Sequence, residues 1–258
     1  MNHISYSELK NWKECPFKHK IIYIDGIKGF KGNEYTAFGT AIHDVCENIL
    51  LHPESESECR MYFDLKFIDQ LKLLKEQDIS LNKEMIMAMK QQGSDLSVLA
   101  LPAIKNSFKE YEVFSTEEKI YEDIEGYENK YKFKGYIDLV LKTSDGKYHI
   151  IDWKSCSWGW NFKKKSDPMI TYQLTFYKHY FAKKHNIDPS NIETHFALLK
   201  RTAKKNKVEI FRVTSGAKKT QNALNLLTKT LHNITRKNYL KNKLSCNRCE
   251  FYKTEHCP

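Results

Sequence analysis

The chain has 258 residues, 41% hydrophobic and 29% charged, with ten glycines and six prolines, which excludes a disordered or low-complexity polymer and leaves one large domain or two small ones. Forty-two Lys and Arg against 32 Asp and Glu give a formal charge of +10, which suits a polyanionic partner and equally an ordinary basic surface. No apolar leader and no run of membrane-spanning length is present, so a cytoplasmic, reducing location away from membranes is expected.

Residues 5–20 read as a short helix capped by Ser5 or Ser7, with Leu9, Trp12 and Phe17 on one face. A second helix is expected over 35–51, where His43 and Glu47 share a face. Met, Leu and Lys in irregular alternation from about 54 to 110 predict a helical insertion. The period then changes to two, and 119–124, 131–143 and 147–153 read as an antiparallel meander with a hairpin turn at Ser144-Asp145-Gly146. A helix over 168–184 and strands over 194–199 and 208–213 follow, the strands joined by a basic turn from Lys200 to Lys207. A last helix over 217–239 leads into a cysteine-bearing tail. This order implies an α/β fold with a mixed central sheet flanked by helices, in a single domain over 1–258 whose core spans about 117–215.

Asp138 and Asp152 lie on neighbouring predicted strands and can meet across the hairpin, and Lys154, two residues on, points to the same side as Asp152. Two carboxylates and an ammonium at one point fit phosphodiester hydrolysis, because a carboxylate-held Mg²⁺ polarises the phosphate and activates water. His43 would add a nitrogen ligand, which makes Mn²⁺ as acceptable as Mg²⁺, and Glu47 would orient it. Apolar flanks, Ile150-Ile151 and Leu139-Val140-Leu141, put these charges at the edge of a core, where charges are seldom left without a partner. Seven cysteines in a reducing compartment favour metal over disulfides, and Cys246-x2-Cys249-x7-Cys257 together with Cys15 at the other end makes a four-thiol set.

In order along the chain, Gly39-x3-His43, Gly135-x2-Asp138, Asp152-x-Lys154 and Gln173-x3-Tyr177 resemble the successive motifs of the PD-(D/E)XK nucleases, in their RecB-like exonuclease branch. Ser5-x-Ser7-x-Leu9-x5-Cys15-Pro16 resembles the iron–sulfur members of that branch, which include the AddB nuclease domain and the small CRISPR-associated exonucleases. The resemblance implies a restriction-endonuclease-like core, with His43, Asp138, Asp152 and the Trp153 carbonyl as metal ligands and Lys154 as the catalytic lysine. It implies that Gln173 and Tyr177 lie beside the site, contacting DNA or orienting Lys154, and that Cys15, Cys246, Cys249 and Cys257 hold a [4Fe–4S] cluster. The gap before Cys257 and the adjacent His256 keep a Zn²⁺ site open as an alternative. Ile137 and Ile151 stand where the family name would put proline. Cys46, Cys59 and Cys156 are read as core or surface thiols outside the cluster.

Lys163, Lys164 and Lys165, and Lys200, Arg201, Lys204 and Lys205, are candidates for DNA backbone contacts, with Trp158 and Trp160 as stacking surfaces or packing groups. No base-reading motif is visible, which favours a sequence-independent DNA exonuclease acting on ends or single strands in recombination, repair, phage DNA processing or CRISPR adaptation. The alternatives are a structure-specific or restriction-type endonuclease, or a DNA-binding subunit without catalysis. No G-x4-G-K-[ST] is present, so any unwinding would fall to a helicase partner; an annealing protein or an integrase are further possible partners.

Overall fold

A computed structural model describes residues 2–52 and 55–258; Glu54, where the helical stretch was expected to begin, lies outside them. β1 (Asn2–Ser5) opens the chain and Ser5 caps α1 (Tyr6–Glu14), its Oγ accepting the Glu8 N–H at 3.2 Å. The expected helix over 5–20 is therefore a strand and two helices. Pro16 forces the residue before it out of the helical region, and Cys15 is extended at φ −159°, ψ 112°. α2 (Pro16–His19) restarts there and ends in a π-turn over Lys20–Ile24. α3 (Glu34–Leu51) begins at a capping box between Asn33 and Thr36. α4 (Glu56–Glu76), α5 (Lys83–Ser97) and α6 (Ala100–Ser107) follow.

β2 (Tyr111–Asp123), β3 (Tyr131–Thr143) and β4 (Tyr148–Cys156) form the antiparallel part of the sheet. β2 starts eight residues before its expected position, because the polar run Ser115–Glu118 and a register shift between Val113 and Ser115 interrupt its alternation. Gly146, at φ +79°, closes the β3–β4 turn, donating to the Thr143 carbonyl at 2.9 Å. After the short α7 (Phe162–Ser166), α8 (Pro168–His185) begins with Asp167 as cap and Pro168 in its first turn, and ends at Asn186 in the left-handed region. β5 (Ile192–Lys200) then pairs parallel to β4, so the β4–α8–β5 segment is a crossover; β6 (Val208–Arg212) returns antiparallel. α9 (Ala217–Thr235) leads to a 3₁₀ turn at Lys243–Arg248.

The sheet separates two cores. On one face Leu139, Leu141, Ile151, Trp153, Ala197 and Leu199 pack with α3, α4, α5 and α6. On the other, Ile137, Val140, Ile150, Phe196 and Leu198 pack with α1, α8 and α9. This is a mixed sheet flanked by helices on both faces, as the element order implied.

One detail of the topology positions everything that follows. β2 runs along one whole edge of β3, from Tyr111 opposite Thr143 to Asp123 opposite Lys132. β1 and β4 therefore share the other edge: β1 pairs with Tyr131–Lys134 and β4 with Leu139–Lys142. Between them Gly135-Tyr136-Ile137-Asp138 is left without a strand partner on that edge, among the described residues.

Candidate active site

Asp138 and Asp152 are the next positions after the last β3–β4 pair, Leu139 with Ile151, so they stand where the two strands part. β4 stays paired with β5 through Cys156, which leaves its β3-facing backbone groups open. Asp138 Oδ2 takes the place of a ladder carbonyl and accepts the Trp153 N–H at 2.7 Å. From α3, His43 brings Nδ1 to 3.7 Å of Asp138 Oδ2. On the far side Lys154 Nζ lies 2.5 Å from Asp152 Oδ2, and Gln173 Nε2 of α8 donates to Asp152 Oδ1 at 2.8 Å. Gln173 Nε2 also contacts the Tyr177 hydroxyl at 3.2 Å, and that hydroxyl bonds the Tyr136 backbone inside the unpaired stretch of β3. Gly135 makes room for this: a Cβ there would lie 2.8 Å from Tyr177 Cε1. Gly39, by contrast, would put a Cβ only in ordinary contact with Ser155 Oγ at 3.5 Å.

The electrostatics follow from burial. Asp138 and Asp152 are both pushed up to about 6, first by loss of water, with Lys154 pulling the other way. Burial would lower Lys154, but Asp152 and then Asp138 outweigh it and hold the ammonium charged. His43 is lowered to about 4 by burial and then by the Lys154 charge, so its imidazole is neutral and can offer a lone pair. Glu47, one turn beyond His43, is raised to about 9 by burial and by its hydrogen bond to Glu117.

Glu117 was not singled out from the sequence. The flanking pairs, Thr116 with Leu139 and Glu118 with Ile137, bring it opposite Asp138, and it sits at φ +46°. A non-glycine residue in that region is uncommon, and it faces Asp138 and His43 closely enough to shift both. Its only sequence signal was a polar run, Ser115-Thr116-Glu117-Glu118, which gives no alternation to read. Tyr6 was also missed. It bonds the Met169 carbonyl, and its hydroxyl is held above the usual tyrosine range by burial and then by the Asp152 charge.

Among the described residues, Asp138 and Asp152 thus share the one ammonium of Lys154, and the Glu47–Glu117 pair lies beside Asp138. That surplus of carboxylates, with a neutral imidazole beside them, fits a divalent cation. Next to the site a cleft of about 540 Å³ is lined by Tyr6, Lys10, Lys154, Trp160, Lys164 and Gln173.

A family model described as PD-(D/E)XK nuclease superfamily matches residues 3–254. The chain belongs to that superfamily. Among solved structures, a candidate exonuclease from Eubacterium rectale is similar over 100% of this chain and 90% of its own, with TM-score 0.63 and 13% identity. The structure of SSO0001 covers 84% of this chain and 94% of its own at 16% identity, with a TM-score of 0.40. No curated protein matches the chain. The E. rectale structure bears on the fold alone, and the fold is that of a PD-(D/E)XK nuclease.

The basic residues of this PD-(D/E)XK chain divide. Lys163 and Lys164 are exposed, Lys164 lying 4.7 Å from the Trp160 ring, and Lys204 and Lys205 are exposed in the β5–β6 turn. Lys200 and Arg201 are a correction to the expected basic patch, because both are buried and engaged inside the protein. Lys200 Nζ pairs with Glu209 Oε2 at 3.2 Å; Arg201 donates to Gln92 at 2.9 Å and Ser157 at 3.2 Å, over the Tyr35 and Phe38 rings. Lys165 also pairs with Glu209. Trp158 is exposed, whereas Trp160 packs on Phe196 and Phe211.

The two ends of the chain meet. Asn242 Nδ2 donates to the Glu14 carbonyl at 2.7 Å, its backbone N–H points at Cys15 Sγ at 3.3 Å, and Phe17 N–H donates to the Leu240 carbonyl. Lys18 pairs with Glu250 at 3.1 Å. Cys246 Sγ approaches the Asn242 carbonyl, Cys249 follows three residues on, and Cys257 pairs with Thr254 in an isolated bridge. Cys15 is buried and the other three thiols are partly exposed; none is in a disulfide. Among the described residues, no three of these thiols have their sulfurs all within 4.8 Å of one another. No helix among the described residues is long and apolar enough to cross a membrane.

Proposed function

We propose that the protein is a metal-dependent, sequence-independent DNA exonuclease acting on duplex ends or single strands. The observation that carries this reading is the meeting of Asp138, Asp152, His43 and Lys154 at the unpaired stretch of β3, beside an open cleft. His43, Asp138, Asp152 and the Trp153 carbonyl would hold Mg²⁺ or Mn²⁺; the carbonyl points the same way as the Trp153 N–H, because both groups of a strand residue face the same neighbour. Bound there, the cation supplies charge neutralisation at the phosphate and a more acidic water.

The protein's own groups do the rest. Lys154, fixed by Asp152, offers an ammonium to the non-bridging phosphate oxygen and to the attacking water. Gln173 holds Asp152 from behind, and Tyr177 holds Gln173 while filling the space above Gly135. Lys163, Lys164, Lys204 and Lys205 would meet the DNA backbone without reading bases. Absence of a base-reading motif and the name carried by the E. rectale structure support an exonuclease over a restriction-type enzyme. The whole chain is read as one nuclease domain with a helical insertion over α4–α6, working in the cytoplasm in recombination, repair, phage DNA processing or CRISPR adaptation, with a helicase, annealing protein or integrase as partner.

Cys15, Cys246, Cys249 and Cys257 would carry a [4Fe–4S] cluster. Cysteine-only ligation suits such a cluster, and Zn²⁺ held by the same thiols is the rival reading. Iron and labile sulfide in anaerobically purified protein test this; stoichiometric zinc would overturn it.

The deciding experiment is digestion of end-labelled linear and covalently closed DNA with Mg²⁺ or Mn²⁺. Linear DNA is degraded and circles survive; Asp152→Ala degrades neither while still binding DNA. Undiminished degradation by that variant, or cutting of circles, overturns the reading.

A further inference from the structure

A second constellation of ligating side chains lies on the opposite face of the same strand. Among the described residues, His149, Glu193 and His195 are the one group of three whose ligand atoms all lie within 4.8 Å of one another. The parallel register of β4 and β5 makes them neighbours: His149 stands opposite Glu193, Ile151 opposite His195, and all four share the face that carries Leu141. His149 Nδ1 is 3.2 Å from His195 Nε2, and each nitrogen is 3.9 Å from Glu193 Oε2. A tetrahedral ion with bonds of about 2.0–2.1 Å holds its donors about 3.3–3.4 Å apart, so the observed triangle needs shifts of only tenths of an ångström.

The surrounding groups fix which atoms face inward. Thr143 has one hydroxyl proton, and it goes to Asp145 Oδ1 at 2.5 Å. Thr143 Oγ1 therefore accepts from His149 Nε2, 3.1 Å away, which puts the ring proton on Nε2 and leaves the Nδ1 lone pair toward His195 and Glu193. Glu193 is divided in the same way: Oε1 meets Arg212 Nη2 at 3.2 Å, and Oε2 faces the two imidazoles. Phe108, at the end of α6, lies against both rings with centroids 4.8 and 5.3 Å away and limits their rotation. Both histidines are buried and neutral at pH 7: His149 is lowered by burial, and His195 is lowered to about 3 by burial and then by His149 and Arg212. Neutral imidazole is the ligating form.

We infer that His149, Glu193 and His195 form a binding site for a borderline divalent ion such as Zn²⁺ or Fe²⁺, separate from the nuclease site. Two imidazoles and a carboxylate suit such ions and not Ca²⁺ or Mg²⁺. His149 is three residues from Asp152 on one strand, so the two sites face opposite sides of the sheet at a separation of about 10 Å. The ion ties β4 to β5 at the end remote from the cleft and stabilises the folded chain by mass action.

Zn²⁺ uptake by the full chain, titrated against a chromogenic competitor at pH 7.5, tests this. Wild type binds one equivalent more than either His149→Asn or Glu193→Gln; the second change keeps shape and size, so it keeps the fold. Thr143→Val leaves the number of equivalents unchanged but weakens the last one about 10- to 100-fold. With Co²⁺, the absorption of nitrogen- and oxygen-ligated ions falls by one ion's share in both ligand variants, while that of an ion held by His43, Asp138 and Asp152 and any thiolate charge-transfer band persist. Equal Zn²⁺ uptake by wild type and Glu193→Gln overturns the inference.

Discussion

β4 carries a different kind of site toward each end, and the contrast between them is instructive. At Asp152 the strand has lost β3, and its carboxylate and that of Asp138 share the Lys154 ammonium. At His149 the strand is paired on both sides, and the donors are two neutral rings and Glu193, with His149 Nε2 held by Thr143 and Glu193 Oε1 held by Arg212. The first arrangement is anionic and open, which suits an exchangeable hard cation and a substrate phosphate. The second is nearly neutral and closed over by Phe108, which suits a resident ion.

The sharpest way to break this comparison is kinetic. Lys154→Met should lower cleavage by at least about 10²-fold with DNA binding retained. His149→Asn should leave cleavage in saturating Mg²⁺ unchanged; an equal loss in both would mean the two ends act as one site.

The next effect is on pH dependence without metal. Asp138 titrates near 3.9 unfolded and at about 6 folded, so the folded state holds its proton longer. That contribution is full below pH 3.9 and is lost as pH rises through 6, amounting to about 3 kcal/mol. Asp138→Asn should remove this fall, seen as a flatter stability curve between pH 4 and pH 7 in urea unfolding. An unchanged slope would mean that the carboxylate is solvated.

Gly135→Ala should cost about 1–3 kcal/mol, because the new methyl meets the Tyr177 ring and must push α8 or β3 aside. Tyr177→Phe keeps the ring, so the double variant should be no more stable than Gly135→Ala alone, whereas Tyr177→Leu should recover part of the loss; urea unfolding of the three variants checks this.

The smallest effect belongs to the histidine end. The pKa of His195 is lowered on folding, so its contribution is present above the unfolded value near 6.5 and is lost as pH falls toward 3. Between pH 7 and pH 6 this is under about 1 kcal/mol, and His195→Asn should remove it in metal-free protein.

Much of the cleft was legible in the chain. Asp138, Asp152 and Lys154 announce themselves because charges are interposed in apolar strand runs, and strand alternation fixes their direction. β1 was not legible: four residues flush against a helix give too short a pattern, and its parallel pairing to β3 is a tertiary fact. Glu117 was hidden in a polar run at a backbone irregularity. Lys200 and Arg201 were misread because a count of positive residues cannot see Glu209, Gln92 or the rings beneath them. His149 and His195 lie 46 residues apart, and only the crossover through α8 makes them neighbours.

The interruption along β3 has a mechanical corollary. A doorway framed by loops can be shut by loop motion; this one is framed by two strands that borrow the same edge of a third and are anchored in the sheet. Its width is set by strand length, so each further paired residue on β1 would narrow it by one position of the four, with no loop to move.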